Sequence, residues 1–262
     1  MARTPRWETH ENINGVTEYT LSSWKYFSDF INAKLINYTT YVYRGHGNSL
    51  WKLEPTLDRI IKSPTSNERS LHLERFKFET RGRRGPNPIK INDDNDWWAL
   101  GQHHGLATPL LDWTESPFVA LYFAANRAKI EKSKSYSVYA ISQTSIAAIN
   151  EEIKSDDAAP LINGQKQTVK IVRPLSDENQ RLVSQRGLFT RGPNNIDLDT
   201  WVKTHTSSNH DRARLIKMTI PTVGSLECLR YLNRMNISHS TLFPDLPGAS
   251  EFCNLHLSLK KY

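Results

Sequence analysis

The stretch over residues 102–125, QHHGLATPLLDWTESPFVALYFAA, constrains the fold of this chain most strongly. Leu110–Thr114 is short and apolar, which is typical of a buried strand. Ser116 followed by Pro117 is a strong helix start, because serine caps the first turn and proline fits its first position. Residues 118–125 are apolar or small, as on a helix that packs against a sheet. The sequence therefore predicts a strand, a tight turn and a helix in direct succession.

Two hydroxyl side chains, Thr114 and Ser116, fall at this predicted strand-to-helix junction. The first N–H groups of a helix are unpaired and its dipole is positive at that end, so such a junction favours a negatively charged group. We therefore expect Thr114 and Ser116 to line a site for an anion such as a carboxylate or a diphosphate. Capping of the helix explains Ser116 equally well.

The remaining patterns mix strands and helices without a regular β-α-β alternation, which predicts an α+β fold. We expect one domain over residues 21–262, with a central, bent, mixed or antiparallel sheet flanked by helices. Residues 1–20 are polar and aperiodic, and we expect them to be loosely ordered. Strands are predicted at residues 40–44, 136–141, 168–172, 188–190 and 214–220. Helices are predicted from near Ser22, over residues 67–81, after an Asp96 cap, over 223–235 and at the C-terminus, and residues 179–185 are expected to form a short helix or a turn.

The composition limits the classes of partner. The 262 residues carry a formal net charge of +7, which suits a polyanion, a negatively charged cofactor or an acidic partner protein without choosing among them. Cys228 and Cys253 are far apart and fit no metal-ligand spacing, so we expect neither a disulfide scaffold nor a metal site. No apolar run opens the chain and none approaches the roughly 18 residues of a membrane span. These features favour an intracellular, cytoplasmic protein.

Four blocks of residues occur in an order that resembles the FRG domain family, named for a Phe-Arg-Gly motif. Tyr43 stands at the aromatic position of that motif, and Ala107 and Pro109 replace a proline and an arginine usual in the family. The resemblance runs from about Val42 to the C-terminus. The blocks are Tyr43-Arg44-Gly45 with Trp51, Leu53 and Pro55; Gln102-His103-x-Gly105-Leu106-x-Thr108 with Leu110–Thr114; Asn179-x-Arg181-x3-Gln185-x-Gly187-x-Phe189; and Phe243-Pro244-Asp245-Leu246.

The same blocks are more weakly similar to NAD-dependent ADP-ribosyltransferases of the Arg-Ser-Glu class. The resemblance implies an ADP-ribosyltransferase-like fold with NAD as a substrate. It implies that Arg44 holds the NAD diphosphate and that residues 112–123 shape the nicotinamide pocket. Gln185 stands where those enzymes carry a catalytic carboxylate, and this is the main departure from their pattern.

From these motifs we expect Arg44, His103 and Gln185 to be catalytic, with His103 contacting ribose and Gln185 orienting the acceptor. Tyr43, Arg44, Asp112, Thr114 and Ser116 are the expected cofactor-binding residues. Alternatives stay open at this stage. They are a structural salt bridge between Arg44 and Asp112, Asp112 as a partner of His103 or a turn cap, a neutral core histidine at His103, and Tyr43 as a core residue.

The leading hypothesis from the sequence is an ADP-ribosyltransferase-like enzyme that uses NAD to modify a macromolecular acceptor, for which the basic charge suggests RNA or DNA. Proteins with FRG domains occur in bacteria and phage-related gene clusters, sometimes as toxin-like or antiviral defence components. The resemblance therefore implies a role in toxin–antitoxin or defence systems. The alternatives are a non-catalytic nucleotide- or nucleic-acid-binding module that acts through a partner, and a subunit that binds an acidic antitoxin or chaperone.

Overall fold

The computed structural model describes residues 5–174, 180–206 and 213–258. The described strands are β1 (Trp7–Ile13), β2 (Val16–Leu21), β3 (Tyr41–His46), β4 (Leu110–Thr114), β5 (Ser135–Ser142), β6 (Leu161–Ile162), β7 (Gln165–Lys166), β8 (Lys170–Val172), β9 (Gly187–Arg191) and β10 (Leu215–Pro221). The described helices are α1 (Phe27–Lys34), α2 (Thr56–Ile60), α3 (Glu68–Glu79), α4 (Asp94–His103), α5 (Pro117–Glu131), α6 (Gln143–Ser155), α7 (Gln180–Ser184), α8 (Leu198–Thr204), α9 (Ser225–Arg234), α10 (His239–Leu242) and α11 (Leu246–Ser258).

Eight of these strands form one mixed sheet in the order β1-β2-β10-β5-β3-β4-β9-β8. β2 and β10 run parallel, and the other neighbouring pairs are antiparallel. β6 and β7 form a separate hairpin. The predicted α+β class with a large mixed sheet is confirmed.

Helices cover both faces of the sheet. On one face α1, α5 and α9 pack over the centre, and Ala120, Ala124, Ala125 and Ala128 of α5 are fully buried. On the opposite face α6 and α8 bury their apolar side chains against β4 and β5. A third cluster joins α2, α3 and α4 to the end of the sheet that carries β8 and β9. The core therefore lies in two layers separated by the sheet.

Helix α5 approaches the sheet closely at Gly45. A Cβ atom on this residue would lie 2.1 Å from the carbonyl oxygen of Ala120 and 2.7 Å from the amide nitrogen of Ala124. Both atoms belong to the α5 backbone and cannot move aside cheaply. Glycine in the Tyr43-Arg44-Gly45 motif thus allows α5 to rest directly on β3.

The sheet opens between β3 and β4. These strands share one backbone-paired position, Tyr43 with Thr114, whereas β3 pairs with β5 at six positions from Tyr41 to His46. Beyond the Tyr43–Thr114 pair, β3 follows β5 and β4 follows β9. The end of β3 that carries Arg44 and His46 therefore borders a fork in the sheet.

The predicted looseness of residues 1–20 is wrong for residues 7–20, which form β1 and most of β2. β2 buries Val16 and Leu21 and pairs in parallel with β10, while β1 is an edge strand with mostly exposed side chains. An edge strand keeps its polar side chains in water, so it shows no apolar period in the sequence. Residues 1–4 lie outside the described part of the chain.

Local capping also differs from the prediction at α4. The N-cap is Asp93, whose side chain accepts a hydrogen bond from the amide of Asn95 over 2.6 Å, rather than Asp96. Asp96 lies inside the first turn, where its negative charge faces the positive end of the helix dipole. Asn179, the first residue of the third sequence block, lies outside the described residues.

Candidate functional site: a cleft at the fork of the sheet

A cleft of about 670 Å³ opens at the fork between β3 and β4. β3 contributes Tyr43, Arg44 and His46 to its lining, and β4 contributes Asp112. Its remaining walls come from the loop after β3, from α2, from α5 and from the segment around residue 243. The lining residues are Tyr43, Arg44, Gly45, His46, Gly47, Leu50, Trp51, Lys52, Glu54, Arg59, Asp112, Trp113, Thr114, Ala120, Phe123, Arg127, Gln185 and Phe243.

The Arg44 side chain bridges the fork. Its Nη1 donates to the backbone oxygen of Asp112 over 2.8 Å and to Oδ2 of the same residue over 3.3 Å. Its Nε donates to Nε2 of His46 over 2.9 Å. The guanidinium thus replaces the missing backbone pairing between the strands. Nη2 has no hydrogen-bond partner among the residues that the structure describes.

His46 is a member of the site that the sequence reasoning missed. Burial, together with the adjacent Arg44 guanidinium, lowers the pKa of His46 to about 3, so its ring is neutral at pH 7. Nε2 accepts from Arg44, and therefore Nδ1 carries the ring proton. Nδ1 is buried near the backbone of Trp51 without reaching hydrogen-bond geometry to a described residue. The two-residue period of a strand, which places positions 44 and 46 on one face, was the available signal.

Positive charge predominates in the cleft. Four lining side chains are cationic, namely Arg44, Lys52, Arg59 and Arg127, and two are carboxylates, Glu54 and Asp112, which leaves a formal net charge of +2. The aromatic rings of Trp51, Phe123 and Phe243 form its apolar walls. Of these residues, the sequence placed Arg44 and Asp112 in the site, and Phe123 lies within the predicted pocket stretch of residues 112–123. The others were not predicted, because they come from separate segments of the chain.

The predicted hydroxyl corner is only partly present. Thr114 lines the cleft, but it is 4% exposed. Its Oγ1 donates to the backbone oxygen of Gln185 over 2.6 Å and accepts from the amide of Ser116 over 3.0 Å. Ser116 does not line the cleft, since its Oγ caps α5 by accepting from the amide of Val119. Ser116 is therefore the N-cap of α5, the alternative role that the sequence left open.

Tyr43 reaches the cleft but belongs mainly to the core. It is 4% exposed and packs in the cluster under α5, and burial raises the pKa of its hydroxyl to about 12. Its neighbour on the strand, Arg44, points to the other face of the sheet. Tyr43 therefore supports the fork by packing, and its stacking on a cofactor stays a prediction.

Gln185 lies in the wall between α7 and the segment before α11. Its Nε2 donates to the backbone oxygen of Leu242 over 3.0 Å. One turn earlier, Arg181 forms an ion pair with Asp245 and stacks over Phe243, with 5.2 Å between the guanidinium carbon and the ring centre. These contacts of Gln185 and Arg181 join the third and fourth sequence blocks and position the Phe243 ring in the cleft wall.

His103 lies in a smaller, adjacent cavity of about 140 Å³ rather than in the main cleft. Burial, followed by the effect of His104, lowers the pKa of His103. Four residues line both cavities: Asp112, Trp113, Gln185 and Phe243. The structure therefore brings Tyr43, Arg44, Asp112, Thr114 and Gln185 together and sets His103 beside them.

A buried polar network supports the wall that carries Arg59. Asp58, on the same helix α2, forms an ion pair with Arg69 over 2.6 Å, with 2% and 9% of the two side chains exposed. Asn195 completes the network. Its backbone N–H donates to Asp58 Oδ2, and its side-chain Oδ1 accepts from Nη2 of Arg69. This network attaches α2 to α3 and to the loop that precedes α8.

Other classes of site leave no trace in the described ranges. No group of three or more His, Cys, Asp or Glu side chains is arranged to hold a metal ion within residues 5–174, 180–206 and 213–258. In the same ranges no helix has the length and apolar character to cross a membrane. Cys228 is buried, Cys253 is exposed, and neither forms a disulfide.

Comparison with known proteins gives one match, over part of the chain. Residues 39–133 match the family model of the FRG domain. No curated protein and no solved structure gives a significant match to the chain. The matched residues include the Tyr43-Arg44-Gly45 motif, β4 and all of α5, and so both sides of the fork. The blocks around Gln185 and Phe243 lie outside the matched range, and the similarity to ADP-ribosyltransferases stays a prediction.

Proposed function

We propose that the cleft at the fork binds NAD and that the protein is an ADP-ribosyltransferase-like enzyme that modifies a macromolecular acceptor. The observation that carries this proposal is the state of Arg44. Three hydrogen bonds to His46 and Asp112 fix its guanidinium, and Nη2 is left for a ligand. A guanidinium binds phosphate oxygens in a fixed geometry that lysine does not reproduce.

The rest of the cleft suits the chemistry of a dinucleotide. Its net charge of +2 attracts a diphosphate, and two of its cations, Arg59 and Lys52, are exposed. Trp51 and Phe243 offer aromatic surfaces for adenine or nicotinamide. A volume of about 670 Å³ falls within the usual range of small-molecule sites, roughly 300–1,000 Å³.

The FRG match and the charge support the biological setting that we propose. The net charge of +7 favours RNA or DNA as the acceptor, because a basic surface attracts the phosphate backbone. A cytoplasmic toxin or antiviral defence component is the role we propose. An acidic antitoxin or chaperone is a partner that the same surface fits.

A second candidate function rests on Gln185. Its amide donates to the backbone of Leu242 and carries no charge, so it cannot supply the carboxylate expected at that position. This favours a module that binds a nucleotide without turning it over. The two functions differ in one observable, the release of nicotinamide from NAD.

The first experiment is calorimetric titration of the protein with NAD. Arg44→Ala should weaken binding about tenfold to a hundredfold, because a charge-assisted hydrogen bond contributes about 1.5–3 kcal/mol. Arg83→Ala, which removes an exposed arginine paired with Glu79 outside the cleft, is the matched control and should bind as the unmodified protein does. Equal affinity of Arg44→Ala and the unmodified protein would disprove the proposal.

A further inference from the structure

The carboxylate of Asp112 lies where the main cleft meets the small cavity that contains His103. Its side chain is 60% exposed. Oδ2 faces Nη1 of Arg44 at 3.3 Å, and Oδ1 makes no hydrogen bond to any described residue. An exposed carboxylate with one oxygen not bonded to a described residue therefore belongs to a residue that lines both cavities.

No other carboxylate of the described cleft shares this position. Glu54 lines only the larger cavity, and one of its oxygens lies 3.9 Å from Nζ of Lys62. Gln185 lines both cavities but is neutral and held by Leu242. The negative charge that glycosyl transfer requires beside the sugar is thus available from Asp112.

We infer that Asp112 is the catalytic carboxylate of this site and that the acceptor enters through the small cavity, past His103. This inference rests on the proposed function, since it takes NAD as the donor. With the diphosphate on Arg44, the ribose carbon that carries nicotinamide lies near the junction of the cavities. Asp112 then serves as the general base for the acceptor and stabilises the positive charge that develops on the sugar.

The step is balanced without a further reactant. The bond between the ribose carbon and the pyridinium nitrogen breaks, and its electron pair leaves with neutral nicotinamide. An O–H or N–H group of the acceptor forms the new bond to that carbon. Its proton passes to Asp112 and from there to solvent. When water is the acceptor, the products are ADP-ribose, nicotinamide and a proton.

The position of Asp112 is set by Arg44. Nη1 holds both the backbone oxygen and Oδ2 of Asp112, so the residue proposed to bind the diphosphate also orients the base. Binding of the donor and alignment of the carboxylate are coupled through this one side chain. The small cavity has a volume of about 140 Å³, much less than the main cleft.

The test compares Asp112→Asn with the unmodified protein in two measurements, NAD affinity by calorimetry and nicotinamide release by chromatography. Asp112→Asn should bind NAD within about threefold of the unmodified protein and release nicotinamide at least about a hundredfold more slowly, the usual contribution of a general base. Glu115 pairs with Arg173 outside both cavities, so Glu115→Gln is the control and should retain NAD affinity and nicotinamide release. Addition of formate to Asp112→Ala should restore part of the release, a rescue that a merely structural role does not give.

Each other outcome overturns the inference in a distinguishable way. Release by Asp112→Asn at the unmodified rate removes Asp112 and leaves the proposed function intact. Loss of NAD binding together with release, in a variant with unchanged thermal unfolding, shows that Asp112 acts only by holding Arg44. NAD binding without any release by the unmodified protein leaves only the binding module. If the unmodified protein does not bind NAD, the proposed function itself has failed.

Discussion

Arg44 donates from Nε to Nε2 of His46 over 2.9 Å, and this bond requires the histidine to stay neutral. A protonated ring would place two donors face to face beside a permanent cation. Burial and Arg44 together lower the pKa of His46 to about 3. The geometry of the Arg44 guanidinium therefore depends on a histidine that stays neutral between pH 4 and 8.

This pairing predicts how stability varies with pH. The unfolded chain takes up a proton on His46 below about pH 6.5, while the folded chain does so only near pH 3. The unfolded state thus binds more protons over this range, so the free energy of unfolding rises with pH from about 3 to 6.5 and levels off above it. One such group contributes a slope of up to about 1.4 kcal/mol per pH unit.

Urea unfolding of His46→Gln between pH 4.5 and 7.5 tests this. Glutamine retains an acceptor for Arg44 but does not titrate, so the slope of the variant should be shallower than that of the unmodified protein. His10→Gln, at an exposed histidine that bonds Thr20, should retain the full slope. Burial also lowers the pKa values of His103, His205 and His239, so part of the slope persists in His46→Gln. Parallel curves for His46→Gln and the unmodified protein would contradict the assignment.

The sequence predicted the local elements of this site because local chemistry determines them. Ser116 and Pro117 start α5 as expected, and Leu110–Thr114 forms β4. The fork was not predictable, because it depends on the point at which β3 and β4 stop pairing, and these strands are at least 64 residues apart in the sequence. His46 was missed since the glycines on both sides of it suggested a loop, although β3 extends through it.

Long-range contacts also decided the roles of the predicted polar residues. Nothing local in the sequence indicates that the amide of Gln185 bonds to Leu242, 57 positions away. Thr114 appeared to be a ligand-binding hydroxyl, but the structure uses its oxygen to join β4 to the end of α7. Residue type predicted which groups are polar, and only the packed chain shows which of them are already bonded.

Gly45→Ala should destabilise the protein by about 1–3 kcal/mol, the usual cost of overpacking a closed contact. The new methyl group would lie 2.1 Å from the Ala120 carbonyl oxygen, so α5 must shift away from β3. Gly192→Ala is the matched control, because its Cβ would meet nothing closer than 3.9 Å. Thermal and urea unfolding of both variants measure the difference. Equal stability of the two variants would show that α5 does not rest on β3 as described.

The ion pair between Asp58 and Arg69 should contribute far more than an exposed one. Asp58→Ala leaves a buried guanidinium without its carboxylate, which costs about 3–5 kcal/mol. Asp29→Ala removes the partner of Arg6 in an exposed pair of similar length, 2.9 Å, and should cost about 0–1 kcal/mol. Urea unfolding at one pH compares them directly. A similar loss in the two variants would refute the buried network as the anchor of α2.

Gln185→Glu tests whether residue 185 has a structural role, through its contact with Leu242, or a catalytic one. The glutamate loses the Nε2 donor and brings a negative charge against the Leu242 carbonyl oxygen, so we expect a loss of about 1–3 kcal/mol at pH 7. At pH 4 a protonated carboxyl group can donate to the same oxygen, and the difference from the unmodified protein should shrink. Hydrogen exchange should show faster amide exchange over residues 239–248 at pH 7.

Gln165→Glu, at an exposed position on β7, controls for the added charge and should change neither stability nor exchange in that segment. The ADP-ribosyltransferase pattern gives the opposite expectation for Gln185→Glu, namely faster release of nicotinamide. A variant that gains turnover at full stability would show that the Leu242 contact is dispensable and that a carboxylate at this position serves the chemistry. A variant that loses stability and gains no turnover assigns Gln185 to the structural contact with Leu242. Asp112 then remains the carboxylate proposed to act beside the ribose.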